Sequence, residues 1–248
     1  IDLIKQMAIE NRRWGAKKIH GELLKLGIIV HKRTIQRYLR QVHKRNSGQN
    51  WATFLRNHAQ DIWACDFTVV HTLLFKPLSI FIIIHHQTRR IIHIPITTNP
   101  TDEWTAQQMR EANPWGQRPK YLIRDYDGKY GHKFKYVLES SGIKDINTPV
   151  RAPRANAICE RFIGTLKLDC LDHYLILHEG QLRRVVGEFV AYYNDSRPHQ
   201  GIDQVVPNCF HEPRPSLSNK PKGSIVSKPV LSGLHHSYSY SKIIHQPI

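Results

Sequence analysis

Cysteine, methionine and acidic residues are all scarce in this 248-residue chain. The four cysteines, Cys65, Cys159, Cys170 and Cys209, form no CxxC pair and no zinc spacing. A disulfide framework and a cysteine-built zinc site therefore lack support, and a reducing cytoplasm fits. The histidines are scattered, and the pairs His85–His86 and His235–His236 have no matching ligand spacing. No GxGxxG, Walker loop or GxSxG elbow occurs, which leaves nucleotide hydrolysis and serine-hydrolase chemistry unsupported. Cys159 beside Glu160 reads as a core residue rather than a nucleophile. The longest apolar run, Leu78 to Ile84, is too short to span a bilayer, and the chain reads as one without a secretory leader. It opens at Ile1 rather than Met, which reads as a fragment lacking an upstream helix.

What the chain has in excess is positive charge. Lys and Arg number 36 against 20 Asp and Glu, a formal charge of +16. The excess is uneven: residues 1–60 hold 13 basic and 3 acidic side chains, residues 61–150 hold 11 and 9, and residues 151–248 hold 12 and 8. The first quarter thus carries most of the field that attracts a polyanion.

The apolar pattern divides the chain. Within residues 16–45, Ile19, Leu23 and Leu26 mark one helix, ended at Gly27 by a left-handed cap. Thr34 is the expected cap of a second helix with the stripe Ile35, Tyr38, Leu39 and Val42. Arg37, Arg40 and Lys44 lie off that stripe, so residues 1–45 read as a basic helix-turn-helix segment, incomplete at its amino end and expected to bind DNA. Residues 46–58 read as a linker. Strand-like runs follow at 62–70, 78–86 and 89–98. Next come a helix at 102–112 capped by Thr101, a strand at 121–124, a helix at 133–140 and a strand at 144–148. Longer helices are expected at 156–172 and 181–193. That order describes an α/β fold, a mixed sheet with helices on both faces. From residue 203 to 248, Pro, Ser, Lys and His dominate and an irregular tail is expected.

Three carboxylates stand out in this pattern. Asp66 interrupts the apolar strand DIWACDFTVV, Asp125 ends the strand of KYLIRDYDGKYG, and Glu160 lies in the helix of RANAICERFIGTLK. An acid in a buried strand is costly unless compensated, and a divalent metal is a common compensation. If the Asp66 strand is central and the fourth strand lies beside it, the two aspartates stand on strands about 4.8 Å apart, within reach of one cation. Two magnesium ions about 3.5–4 Å apart, with manganese as substitute, would activate a water or sugar hydroxyl and stabilise the leaving oxygen at phosphorus. Each acid has a plainer reading: an edge-strand ion pair for Asp66, a solvated helix glutamate for Glu160. Asp127 rivals Asp125, but Asp127-Gly128 reads as turn chemistry. On the helix of Glu160, Asn156, Gly164 and Lys167 stand at −4, +4 and +7 and share its face. That face supplies an amide, a bare patch for close backbone approach and a cation suited to phosphate.

The stretches WACDF, LIRDYDGKYG, TPVRAPRANAICERFIGTLK and YYNDSRPHQG, with 34 residues between Asp125 and Glu160, resemble the Asp-Asp-Glu core of insertion-sequence transposases and retroviral integrases. The likeness covers residues 59–202. The segment NRRWGAKKIHGELLKLGIIVHKRTIQRYLR resembles the helix-turn-helix upstream of that core in the bacterial members. The resemblance implies a ribonuclease H-like fold with a five-stranded mixed sheet, and metal-dependent cutting and joining of double-stranded DNA without a covalent protein–DNA intermediate. It makes Asp66, Asp125 and Glu160 the metal ligands, sets Lys167 near the joined DNA end, and gives Arg197 and His199 a turn after the core. It further implies a homo-oligomer on DNA, element ends and target as substrates, and a cytoplasmic, nucleoid-associated protein. No counterpart of the retroviral zinc module is present, and Asp125-Tyr126-Asp127 departs from the usual Asp-Asn-Gly or Asp-His-Gly. A catalytically inactive, DNA-binding remnant is the second reading. A nuclease for RNA–DNA hybrids is the third.

Overall fold

The computed structural model describes residues 1–11, 14–44, 51–113, 118–148, 156–213 and 223–241, with residues 41–44 as backbone alone. The chain divides into two units, residues 1–57 and 58–248.

The first unit holds helices α1 (Asp2–Glu10), α2 (Ala16–Lys25), α3 (Lys32–Lys44) and α4 (Trp51–Asn57). Ile4, Ala8, Ile19, Leu23, Ile35 and Leu39 form its core, so the expected stripes of α2 and α3 face inward. Helix α1 lies outside the expected elements, and it supplies two of those six residues. Gly27 closes α2 at φ 72°, with Ile28 N–H donating to the Leu23 carbonyl at 2.9 Å and Gly27 N–H to that of Leu24 at 3.0 Å. That is a Schellman cap, which a side chain at Gly27 would strain.

Two expectations are corrected here. Helix α3 begins two residues before Thr34, because His31 takes the cap: its Nδ1 accepts from Arg33 N–H at 3.4 Å and its carbonyl from Thr34 N–H at 2.9 Å. Residues 51–57, expected within a linker, form α4; the rest of that linker start, residues 46–50, lies outside the described residues.

The second unit is built on β1 (Ile62–His71), β2 (Pro77–His85), β3 (Ile91–His93), β4 (Ile96–Thr97), β5 (Tyr121–Arg124) and β6 (Lys144–Asn147). The sheet order is β3-β2-β1-β5-β6, with β4 also on β2. β1, β2, β3 and β4 pair antiparallel, whereas β5 joins β1 and β6 joins β5 in parallel. The single strand expected at 89–98 is split, since Pro95 has no N–H for the ladder and gives only its carbonyl, to Phe81 N–H at 2.9 Å. The expected mixed α/β sheet of ribonuclease H-like type is therefore present, with six strands instead of the expected five because the third is split, and β1 lies at its centre.

Helices α5 (Asp102–Glu111), α6 (His132–Ser140), α7 (Ala157–Asp169) and α8 (Glu179–Asp195) flank it. On one face Trp63, Cys65, Phe81, Ile83 and Leu122 pack with Met109 of α5 and Phe134 of α6. Side chains alternate along a strand, so Ile62, Ala64, Ile80, Ile82 and Ile84, all buried, belong to the other face. Helix α7 packs against β1 and β2. Burial on both faces accounts for the nearly unbroken apolar run of β2. Thr101 caps α5 as expected, its Oγ1 accepting from Trp104 N–H at 3.2 Å. Asp102 then caps α6, accepting from Lys133 and Phe134 N–H at 2.8 and 2.9 Å; a Cβ on Gly131 would come within 2.6 Å of that carboxylate. In the expected irregular tail, residues 225–230 and 235–240 pair as an antiparallel hairpin.

Candidate active site

The parallel register of β1 and β5 decides where two of the three acids meet. Ile62 pairs with Tyr121, Trp63 with Leu122 and Ala64 with Ile123. The pairing ends there; the same register carried on by two residues would set Asp66 level with Asp125, which directly follows β5. Asp66 has the same alternation as Ile62 and Ala64, hence the face against which α7 packs. Glu160 lies in the first turn of that helix and is exposed, while Cys159, Phe162 and Leu166 on the opposite side are buried.

Electrostatics register the crowding. Burial pushes the Asp66 carboxyl up from 3.8 to about 6, and the charges of Asp125, Glu160 and Asp127 add to the rise, against one opposing hydrogen bond from Phe67 N–H at 2.8 Å. Asp125 is raised too, by burial first and then by Asp127. Its Oδ1 is buried without a hydrogen-bond partner. Asp127 is shifted the opposite way because it is already engaged. Its Oδ1 accepts from Lys129 N–H at 3.0 Å, and its other oxygen pairs with the Lys129 ammonium, which lowers its pKa despite some burial. Of the two rivals, Asp127 closes a turn and Asp125 has an oxygen left unsatisfied.

Among the described residues, no group of three or more His, Cys, Asp or Glu is gathered closely enough to hold a metal ion. The donors nonetheless suit a hard cation: carboxylate oxygens, one of them buried and orphaned, and one carboxyl whose ionisation is opposed by its neighbours. The residues leading into α7, 149–155, lie outside the described residues.

The comparisons with known proteins point the same way. Residues 141–207 match the integrase core domain family, a stretch that includes Glu160 but neither Asp66 nor Asp125. The 31 kDa protein of insertion element IS600 from Shigella sonnei is 26% identical over 233 residues, covering 84% of this chain and 85% of its own. The 39.2 kDa protein of insertion element IS476 from Xanthomonas euvesicatoria is 22% identical over 215 residues. That match covers 83% of this chain, which spans 62% of the relative's length. A chain of the simian T-cell lymphotropic virus intasome, solved with PP2A regulatory subunit B56 gamma, aligns with a TM-score of 0.53 at 14% identity, over 95% of this chain and 86% of that one. The chain is thus similar to proteins of bacterial insertion elements, and residues 141–207 are similar to the integrase core domain.

Among the other candidate residues, one is placed differently from expectation. Asn156 is corrected: it is only 4% exposed, and its Nδ2 donates to the Cys65 carbonyl at 3.2 Å. At φ −110° and ψ 18° it precedes the helix rather than continuing it, so the periodicity that aligned it with Glu160 does not apply. A buried amide bound to backbone is not free to meet a phosphate; Asn156 instead ties the start of α7 to the residue before Asp66. Lys167 and Gly164 do lie exposed with Glu160 on one face, and a Cβ on Gly164 would meet open space. In the first unit, Arg37 and Arg40 are exposed on α3, and the side chain of Lys44 lies outside the described residues. Cys159 is fully buried, with its thiol pKa well above the ordinary value.

Arg197 and His199 do form a turn after α8. Arg197 Nη2 donates to Asp169 at 2.9 Å, joining it to the end of α7, and His199 Nε2 lies 3.1 Å from the Tyr193 carbonyl. Sequence reasoning missed Arg124. Its side chain is 3% exposed, and it forks onto Asp145 of the next strand with contacts of 2.9 and 2.5 Å. Its Nη1 donates to the carbonyl of Asp125 itself at 3.2 Å. An arginine at the end of an apolar strand, with an aspartate on the following strand, was the available signal.

Proposed function

We propose that this chain cuts and joins DNA strands in a metal-dependent reaction, with Asp66, Asp125 and Glu160 as the ligands of magnesium or manganese. The observation that carries the reading is the closeness of two aspartates, Asp66 on β1 and Asp125 directly after β5: the charge of Asp125 adds to the rise that burial gives the Asp66 carboxyl, and Asp125 has a buried oxygen left without a partner. Divalent ions there would polarise a phosphodiester oxygen and favour ionisation of the attacking water or hydroxyl. The chain's own part is to hold the acids. Arg124 anchors the backbone at Asp125, Asn156 ties Glu160's helix to the strand of Asp66, and Phe67 N–H orients the Asp66 carboxylate. Each is a fixed contact, and preorganised donors of this kind need little rearrangement during reaction.

The substrate in this reading is double-stranded DNA bearing the element's ends, with a target duplex to receive them. The first unit would bind DNA through Arg37, Arg40 and Lys44, and Lys167 would contact the strand near the joined end. Two ends are needed in one assembly, so a homo-oligomer forms on DNA. Among the described residues no helix is long and apolar enough to cross a membrane, and the proposed setting is the bacterial cytoplasm at the nucleoid. The test is a cleavage and strand-joining assay with magnesium on a duplex carrying the element's own termini. The proposal expects nicked and joined products from the natural chain and none from Asp66→Asn. Salt-sensitive DNA binding with no metal-dependent cutting would instead identify an inactive, DNA-binding remnant.

A further inference from the structure

The second unit has a pocket of about 320 Å³ whose walls come from α7, the end of α8 with the chain after it, and the turn between β2 and β3. Arg89, Arg161 and Arg197 line it, with the amides of Gln200 and Gln204 at its edge and Phe162 and Tyr193 among its apolar walls. Arg197 is occupied by Asp169. Among the described residues neither Arg89 nor Arg161 has a carboxylate partner. Arg89 is half-buried, donates to the His86 carbonyl at 2.6 Å, and sits at φ 62°, a conformation that a non-glycine residue rarely adopts. Its guanidinium pKa is lowered, by burial first and also by Arg161. All three guanidinium charges bear on the Tyr193 hydroxyl, which burial nonetheless holds up at about 12.

Two guanidinium groups lining one pocket without a carboxylate of their own, Arg89 and Arg161, suit an anion, and the planar fork of arginine matches phosphate oxygens. On α7 the residues facing this pocket, Ile158, Arg161 and Thr165, are spaced three and four apart. Arg161 directly follows Glu160, about 100° around the helix. Ile158, Thr165 and Phe162 lie further round still, so the pocket opens on a different side of α7 from Glu160.

We propose that this pocket holds a backbone phosphate of a DNA strand, gripped by Arg89 and Arg161, on a side of α7 away from Glu160. The inference rests on the DNA-cutting reading above, and the following experiment separates the two. The full chain, in EDTA, binds a fluorescently labelled duplex over a range of salt concentrations, alongside Arg161→Gln and Arg161→Lys. Arg161 is exposed, so its replacement leaves the core packing alone. Loss of one phosphate contact flattens the slope of log affinity against log salt by about 0.9. Arg161→Gln is expected to show that flattening with several-fold weaker binding at moderate salt, and Arg161→Lys to recover most of the slope. Normal salt-sensitive binding with an unchanged slope in Arg161→Gln overturns the pocket's role and leaves the enzyme reading standing. A natural chain that binds no DNA overturns both. Inorganic phosphate, tested at matched ionic strength, is expected to leave the melting temperature nearly unchanged. Strong stabilisation that disappears in Arg161→Gln, without any change in DNA binding, reassigns the site to free phosphate and overturns the proposal. Loss of self-association with an unchanged slope reassigns it to an acidic side chain of a second copy, and overturns the proposal equally.

Discussion

Replacing Asp66 by asparagine is expected to stabilise the metal-free protein. In the folded chain the Asp66 carboxyl is raised from 3.8 to about 6, chiefly by burial and then by the charges of Asp125, Glu160 and Asp127. At 1.36 kcal/mol per tenfold change, holding that carboxylate ionised at pH 7 costs about 3 kcal/mol. Asparagine keeps an oxygen for the Phe67 N–H bond and removes the charge. Its new N–H donors need partners of their own, which brings the expected gain to about 2 kcal/mol. The pH dependence has a definite sign. Between pH 3.8 and about 6 the folded protein retains a proton that the unfolded chain releases, so natural stability falls as pH rises through that window and is flat above it. The variant lacks that slope. Urea unfolding in EDTA at pH 7 and pH 4 measures both effects, and a gain of 2 kcal/mol corresponds to about 4–8 °C in melting temperature. An asparagine variant equal to or less stable than the natural chain at pH 7, or one with the same pH slope, would refute the view that Asp66 is held against its own preference.

Three further outcomes follow from the same geometry. Asp145→Ala leaves the Arg124 guanidinium buried without its partner and is expected to cost about 3–5 kcal/mol in denaturant unfolding; a loss below about 1 kcal/mol would show the pair to be dispensable. Asp125→Asn is expected to lower strand cleavage by about two orders of magnitude or more, whereas Asp127→Asn, which disturbs only a turn and its Lys129 pair, retains most activity; parallel cleavage assays decide between the two acids. Asn156→Ala leaves the Cys65 carbonyl unpaired and is expected to cost about 1–3 kcal/mol. If the staple also aligns the site, cleavage falls with it at temperatures where the variant stays folded.

The central sheet is readable because burial on both faces writes apolar runs into β1 and β2, and because one acid within such a run is conspicuous. The turn role of Asp127 is also readable, from the Gly128 that follows it. Contacts that depend on tertiary register are not. Arg124 makes sense only once β6 brings Asp145 beside it. Asn156 escapes the pattern because helical periodicity does not extend one residue past the helix start, where the backbone turns the side chain inward. His31 displaces Thr34 as a cap, although histidine is not among the residues that usually do so. The exposed hairpin at 225–240 lacks the apolar alternation that marks a half-buried strand, so its pairing leaves little trace in the pattern.

The claim that everything else serves is that Asp66, Asp125 and Glu160 jointly hold catalytic cations. Manganese binding followed by electron paramagnetic resonance, in the natural chain and in Asp66→Asn, Asp125→Asn and Glu160→Gln, tests it without any DNA present. The account predicts saturable binding to the natural chain that each substitution weakens at least about tenfold. Unaltered binding in all three variants, or no binding to the natural chain at millimolar manganese, would contradict it.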